Sequence, residues 1–232
     1  MTTTPIIALD VPSADDAMRV VASLGDRCRF YKIGSELFTA AGPSVVSRVR
    51  DAGCDVFLDL KVYDIPNTVR GAARSAAALG ARLLTVHASG GVVMLEAAVE
   101  GGGERLGILA VTVLTSFDDA SLREASGRSG VRVSEEVARL AGLAARSHAH
   151  GVVCSGAEAA LVRASFGDTL AVLVPGIRMA GGAAHDQRRV VTPSEASAAG
   201  ARYIVVGRAV TAAPDPRAAM DAVLADLASV PV

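Results

Sequence analysis

The chain has 232 residues, 51 % of them hydrophobic and 20 % charged, with a formal net charge of −1. That length and apolar content suit one large α/β domain, and the near-neutral balance excludes a chain specialised for nucleic acid. Its longest predominantly apolar stretch, 106–114, falls far short of the roughly 20 residues of a membrane helix, so no membrane partner is expected.

The N-terminus, Met1-Thr2-Thr3-Thr4-Pro5, lacks a basic n-region and runs straight into Ile6-Ile7-Ala8-Leu9, which predicts a cytoplasmic protein without a signal peptide. Short apolar runs at 6–9, 29–33, 55–60, 83–87, 107–114, 152–154, 170–174 and 203–206 predict strands. Ala-rich amphipathic helices lie between them. Ser13 is placed to cap the first helix, whose face carries Val20, Val21 and Leu24, and Gly25 is placed to stop it. Thr192-Pro193-Ser194-Glu195 reads as a capping box with proline at the first helical position. Met220, Val223, Leu224 and Leu227 fall at i, i+3, i+4, i+7 and predict the core stripe of a last helix. Cys28, Cys54 and Cys154 are widely spaced, without a CxxC pair, and are expected to be reduced core thiols.

Strict β–α alternation predicts an α/β fold, most simply a (β/α)₈ TIM barrel forming a single domain over 1–232; a doubly wound sheet is the alternative. A barrel demands functional residues at the C-terminal ends of its strands. Polar residues do recur there: Asp10, Lys32, Asp59 and Lys61, His87, Thr115, then Pro175-Gly176-Ile177-Arg178 and Gly207-Arg208.

The densest cluster is Asp59-Leu60-Lys61-Val62-Tyr63-Asp64-Ile65-Pro66-Asn67-Thr68. Strand alternation sends Asp59 and Lys61 to one face, and Asp64 follows where it can reach the same charges or those of a neighbouring subunit. Lys32 can extend the run into an alternating chain of charges. A structural ion-pair network is one reading. The other is a proton donor, Lys61, held charged beside carboxylates for a reaction that develops negative charge on carbon. Gly207-Arg208 is either an ordinary turn and surface arginine or a phosphate grip of exposed N–H groups and a forked donor. The loop 175–190, with Arg178, Gly181, Gly182 and Gln187, is either a lid or a plain surface loop. His87, His148, His150 and His185 show no metal-ligand spacing, and His87 reads as a satisfied rim or core histidine. Arg123, Arg128 and Arg132 read as a solvated face. GxGxxG, Walker A and Gly-x-Ser-x-Gly patterns are absent.

The string 59–68 resembles the signature of the orotidine 5′-phosphate decarboxylases, specifically their short, single-domain bacterial type. The resemblance covers nearly the whole chain: Ile7-Ala8-Leu9-Asp10, Lys32-Ile33-Gly34, Val86-His87-Ala88-Ser89-Gly90-Gly91, Val111-Thr112-Val113-Leu114-Thr115-Ser116, Pro175-Gly176-Ile177-Arg178, Asp186-Gln187-Arg188-Arg189 and Val206-Gly207-Arg208 follow in the family's order. Tyr63 departs from it, since many relatives carry histidine there. The Asp-x-Lys-x-x-Asp core alone is shared with sugar-phosphate decarboxylases and aldolases, but Ile65-Pro66-Asn67-Thr68 and the Gln187 block are not expected in those.

The resemblance implies decarboxylation of orotidine 5′-monophosphate to uridine 5′-monophosphate, the last step of pyrimidine nucleotide synthesis, with no metal and no organic cofactor. It implies that Lys61 protonates C6, that Asp59 sits near the departing carboxylate, and that Lys32 and Asp10 hold the ribose hydroxyls. Asp64, Ile65 and Thr68 would belong to a substrate site shared across a homodimer, with Asp64 and Thr68 serving the partner. Thr115 and Pro175 would contact substrate, while Gln187, Gly207 and Arg208 would hold the phosphate and Arg178 would ride on the closing loop. Two other readings of the same residues are a related sugar-phosphate decarboxylase or aldolase, and a catalytically silent barrel that binds a phosphate ligand.

Overall fold

The computed structural model describes residues 2–179 and 191–230. Within them, β1 (Thr4–Ala8), β2 (Phe30–Gly34), β3 (Asp55–Val62), β4 (Leu83–His87), β5 (Gly107–Val111), β6 (Gly151–Val153), β7 (Ala171–Val174) and β8 (Tyr203–Val206) form a closed parallel barrel in sequence order. The first strand pairs with the last, Thr4 opposite Tyr203 and Ile7 opposite Val206, so the barrel has no free edge. The helices are α1 (Ala14–Leu24), α2 (Ser35–Ala41), α3 (Ser44–Asp51), α4 (Pro66–Ala78), α5 (Gly91–Gly102), α6 (Asp119–Ser126), α7 (Val133–Arg146), α8 (Gly156–Phe166), α9 (Pro193–Ala198), α10 (Arg208–Thr211) and α11 (Pro216–Ala228). The expected (β/α)₈ architecture is therefore the observed one, and the doubly wound alternative is set aside.

Local chemistry explains the helix ends. The Ser13 hydroxyl accepts from the Asp16 N–H at 3.1 Å, and α1 stops at Gly25, whose φ of 57° favours glycine. Thr192 and Glu195 form the reciprocal capping box at α9, with Pro193 as its first helical residue. In α11, Met220 and Val223 are fully buried, but Leu224 is exposed. Leu224 lies at the edge of the stripe, past the width that the barrel wall covers. The three cysteines are buried and form no disulfide.

Alternation divides the core in two. Ile6, Phe30, Phe57, Leu83, Leu109, Leu173, Tyr203 and Val205 point inward and fill the barrel. Their neighbours Ile7, Tyr31, Val56, Leu58, Leu84, Val172 and Val206 point outward and pack against the helices. Strand five is shorter than its apolar run suggests, ending at Val111 rather than Leu114. Thr112 bonds the Val153 carbonyl through both its N–H and its hydroxyl, and the Phe117 N–H turns back to Leu114. Strand three runs longer, to Val62, through an irregular segment that shapes the site.

Candidate active site

The inward period of two carries the chain from apolar interior to polar rim. Two residues beyond Phe30 comes Lys32, two beyond Phe57 comes Asp59, and two beyond Leu83 comes Thr85. In the same way Ala8 leads to Asp10, Leu173 to Pro175 and Val205 to Gly207. The period of the strands themselves thus brings Asp10, Lys32, Asp59 and Thr85 to the C-terminal mouth of the barrel.

Four charges alternate across this mouth. Lys32 Nζ lies 2.8 Å from Asp10 Oδ1 and 3.6 Å from Asp59 Oδ2, and Lys61 Nζ lies 2.8 Å from Asp59 Oδ1. Lys32 is buried, and a Cβ on Gly34 would stand only 3.0 Å from its Nζ and 3.3 Å from Asp10 Oδ1. Glycine at 34 therefore leaves the space this ion pair fills. Burial of Asp59 raises its carboxyl pKa. The charges of Lys32 and Lys61, with hydrogen bonds from Lys61 and Thr85, outweigh burial and hold it below the usual carboxylate range. His87, at the end of β4, is lowered by burial and by the charge of Lys61, and its ring centroid lies 5.8 Å from that of Tyr63.

Lys61 reaches Asp59 in an unexpected way. Plain alternation would suffice to bring the two together, but β3 is irregular here: Leu58 pairs with Leu84 and Val62 with Val86, so four residues of one strand advance against two of the other. Within this bulge Lys61 adopts φ 49°, a left-handed conformation that costs a non-glycine residue about 1–2 kcal/mol.

A cavity of about 550 Å³ opens above the charges. Asp10, Lys32, Asp59, Lys61, Thr115, Pro175, Arg178, Gly207 and Arg208 all line it, together with Glu36 on α2. Gly207 is the N-cap of the short helix α10, and Arg208 is its first residue. Arg178 is buried and donates to the Ile177 carbonyl at 2.8 Å, while its backbone N–H bonds the Val191 carbonyl at 3.0 Å. The two ends of the long loop after β7 are thereby tied together. Gln187, with Gly181, Gly182, His185, Asp186, Arg188 and Arg189, lies outside the described residues.

Three expected site residues do not line this cavity. Asp64, Ile65 and Thr68 are exposed, in the loop between β3 and α4 and in the first turn of α4. Asp64 accepts from the Ile65 N–H at 2.6 Å. Of the two destinations open to it, the charges of its own subunit are therefore not the one observed: the chain has already left the barrel mouth at Tyr63. Arg128 and Arg132 lie on the surface as expected, paired with Glu136 and Glu135.

Residues 3–223 match the family model described as Orotidine 5'-phosphate decarboxylase / HUMPS family. The chain belongs to this family. Its relatives include the orotidine 5'-phosphate decarboxylase of Halorhodospira halophila, 50 % identical over 227 residues that cover 97 % of this chain and 95 % of that one. That of Anaeromyxobacter sp. is 52 % identical over 220 residues, covering 95 % and 96 %. Among solved structures, orotidine 5'-phosphate decarboxylase from Lactobacillus acidophilus superposes with a TM-score of 0.86 at 37 % identity, covering 97 % of this chain and 99 % of that one.

Against the family's Asp-x-Lys-x-x-Asp string, two residues of this chain stand out that the string does not contain. Thr85 is fully buried, donates to Asp59 Oδ1 at 3.0 Å and accepts from the Lys61 N–H at 2.9 Å. Its signal in the sequence is faint: one hydroxyl in the apolar run Leu83-Leu84-Thr85-Val86, at an inward position. Glu36 follows Lys32-Ile33-Gly34 and is carried into the cavity by the turn that starts α2.

Proposed function

We propose that this chain decarboxylates orotidine 5′-monophosphate to uridine 5′-monophosphate as a barrel enzyme of the final step in pyrimidine nucleotide synthesis. The observation that carries the reading is the alternating run Asp10–Lys32–Asp59–Lys61 at the floor of the cavity in a chain of this family. Breaking the bond from C6 to the carboxylate leaves an electron pair on C6, and the departing group is carbon dioxide. The ammonium of Lys61 gives its proton to that carbon, and solvent later restores it, so the sum is substrate plus one proton to product plus carbon dioxide. Positive charge placed where the carbanion grows stabilises the transition state more than the ground state. Asp59 holds the ammonium charged and aimed. Lys32 and Asp10 bind the ribose hydroxyls, and Thr115 and Pro175 line the wall beside the base.

Gly207 and Arg208 hold the phosphate at the opposite wall, with Gln187 and Arg178 from the loop after β7. The phosphate is remote from C6, so its binding energy serves lid closure as well as affinity. Arg208→Ala is accordingly expected to lower kcat/KM by about 10²–10⁴-fold, with part of the loss in kcat. Steady-state kinetics read both parameters, and a pure KM effect would separate the phosphate from the chemistry.

The direct test follows the ultraviolet absorbance of orotidine 5′-monophosphate with purified protein, with and without a chelator. Loss of substrate that survives chelation is expected. A folded preparation that leaves the substrate unchanged sinks the proposal, and activity that requires magnesium favours a sugar-phosphate decarboxylase or aldolase.

The working unit in this reading is a homodimer in which Asp64, Ile65 and Thr68 complete the partner's cavity. Support comes from their exposure beside the rim, and from Tyr63, Ile65 and Val93, which are 62 %, 66 % and 68 % exposed around the β3–α4 loop and the first turn of α5. Mixing inactive Lys61→Ala and Asp64→Ala proteins should regenerate one native site per hybrid dimer, about a quarter of wild-type activity after random exchange. No recovery despite verified exchange would remove the shared site.

A further inference from the structure

We infer that Thr85 is a positioning residue for the decarboxylation: its hydroxyl holds the β3 bulge in the shape that presents the Lys61 ammonium to the cavity. The inference rests on the proposed decarboxylase reading for its kinetic consequence, and on the β3–β4 geometry alone for its structural one.

The bulge creates two needs at one place. Three residues of β3, Asp59, Leu60 and Lys61, face the single residue Thr85 of β4 between the pairs Leu58–Leu84 and Val62–Val86, so the ladder is interrupted opposite Thr85. An interrupted ladder leaves backbone groups without their strand partners, and an N–H beside a barrel interior must bond elsewhere. Lys61 also sits at φ 49°, which persists only where its surroundings over-determine it. Thr85 Oγ1 meets both needs. It accepts from the Lys61 N–H at 2.9 Å, in place of a strand carbonyl, and donates to Asp59 Oδ1 at 3.0 Å. Lys61 Nζ returns to the same Oδ1 at 2.8 Å and closes a ring of three hydrogen bonds through one hydroxyl and one carboxylate oxygen.

A hydroxyl has one donor and two acceptor sites, and this ring uses the donor and one acceptor. A β-branched residue in a strand is stiff at χ1, and Thr85 is fully buried, so the oxygen is fixed where both partners need it. Without it, Lys61 would lose the bond that favours its left-handed backbone, and Asp59 would lose one of the donors that orient it. A misplacement of about 1 Å in a reacting group can cost on the order of 10²-fold in rate.

The test compares Thr85→Val, which keeps the shape and removes the hydroxyl, with Thr85→Ser, which keeps the hydroxyl. Thr85→Val should lower kcat by about 10–100-fold, and Thr85→Ser should stay within about threefold of wild type. KM should change little in either, since the hydroxyl does not line the cavity. The acidic limb of the kcat profile should move upward in Thr85→Val, because Asp59 has lost a donor that favours its charged form. A fully folded Thr85→Val protein with wild-type kcat overturns the inference, as does a Thr85→Ser protein as damaged as Thr85→Val. A crystal structure of Thr85→Val gives a reading independent of turnover. Lys61 leaving the left-handed region, or its Nζ leaving Asp59, supports the inference, and an unchanged bulge overturns it. Wild-type protein without turnover would defeat the decarboxylase reading, and that crystal structure would still decide the role of Thr85.

Discussion

Lys61→Ala should abolish turnover, lowering kcat by about 10⁵-fold or more while leaving the barrel folded. The size follows from two losses at one atom. A positioned general acid contributes about 10²–10⁴-fold, and charge stabilisation at a developing anion about 10²–10³-fold more. No nearby group substitutes: Lys32 is committed to Asp10 at 2.8 Å and lies farther, at 3.6 Å, from Asp59. The same residue carries backbone strain, which gives a second reading of its role. Lys61→Gly should be as inactive as Lys61→Ala but more stable, by up to about 1 kcal/mol, because only glycine accepts φ 49° without steric cost and its greater unfolded freedom offsets part of the gain. Single-turnover rates measure the first effect and urea unfolding the second. A lysine kept in a costly conformation that glycine would relieve is placed there for its ammonium, so equal stability of the two variants would weaken that view.

Asp59→Asn should lower kcat by about 10³-fold and destabilise the fold by about 2–4 kcal/mol at neutral pH. Asp59 is the negative centre between two cations, with its side chain only 16 % exposed. An amide in its place leaves Lys32 and Lys61 repelling each other across a group that no longer answers them, and Lys32 is itself buried. Asp10 remains beside Lys32, which keeps the penalty below that of an isolated buried charge. The pH dependence has a definite sign. The carboxyl of Asp59 is held below its unfolded value of about 3.9, so its contribution is fully present above that pH and is lost as pH falls through the folded value. The stability gap between wild type and Asp59→Asn should therefore be constant from neutral pH down to about pH 5 and close at lower pH. Urea titrations at several pH values measure it, and a gap that stays constant into strong acid would assign the loss to packing instead of charge.

The barrel and the location of its chemistry are local properties of the chain, and most of both can be read along it. Alternating apolar runs, the Ser13 and Thr192 caps and the inward period of two depend on residues a few positions apart. They were enough to place Asp10, Lys32, Asp59, Lys61, Pro175 and Gly207 at one rim, since a closed parallel barrel brings every strand's C-terminal end to the same face. The exact ends of strands and the exposure of single side chains depend on longer-range contacts. Strand five ends at Val111, where Thr112 makes the last bond to β6 and the Phe117 N–H turns the chain back to Leu114, and Leu224 on α11 is exposed at the edge of its stripe.

The bulge belongs wholly to the second kind. Alternation brings Asp59 and Lys61 to one side for any regular strand, and nothing between 55 and 62 announces a left-handed residue. That conformation exists because a hydroxyl 24 positions away takes the Lys61 N–H and grips Asp59 in the same bond network. The identity of the charges, and the rim they share, follow from residue order alone. How the ammonium is aimed does not, because a strand's register against its neighbour is settled by hydrogen bonds between segments that meet only in the folded barrel.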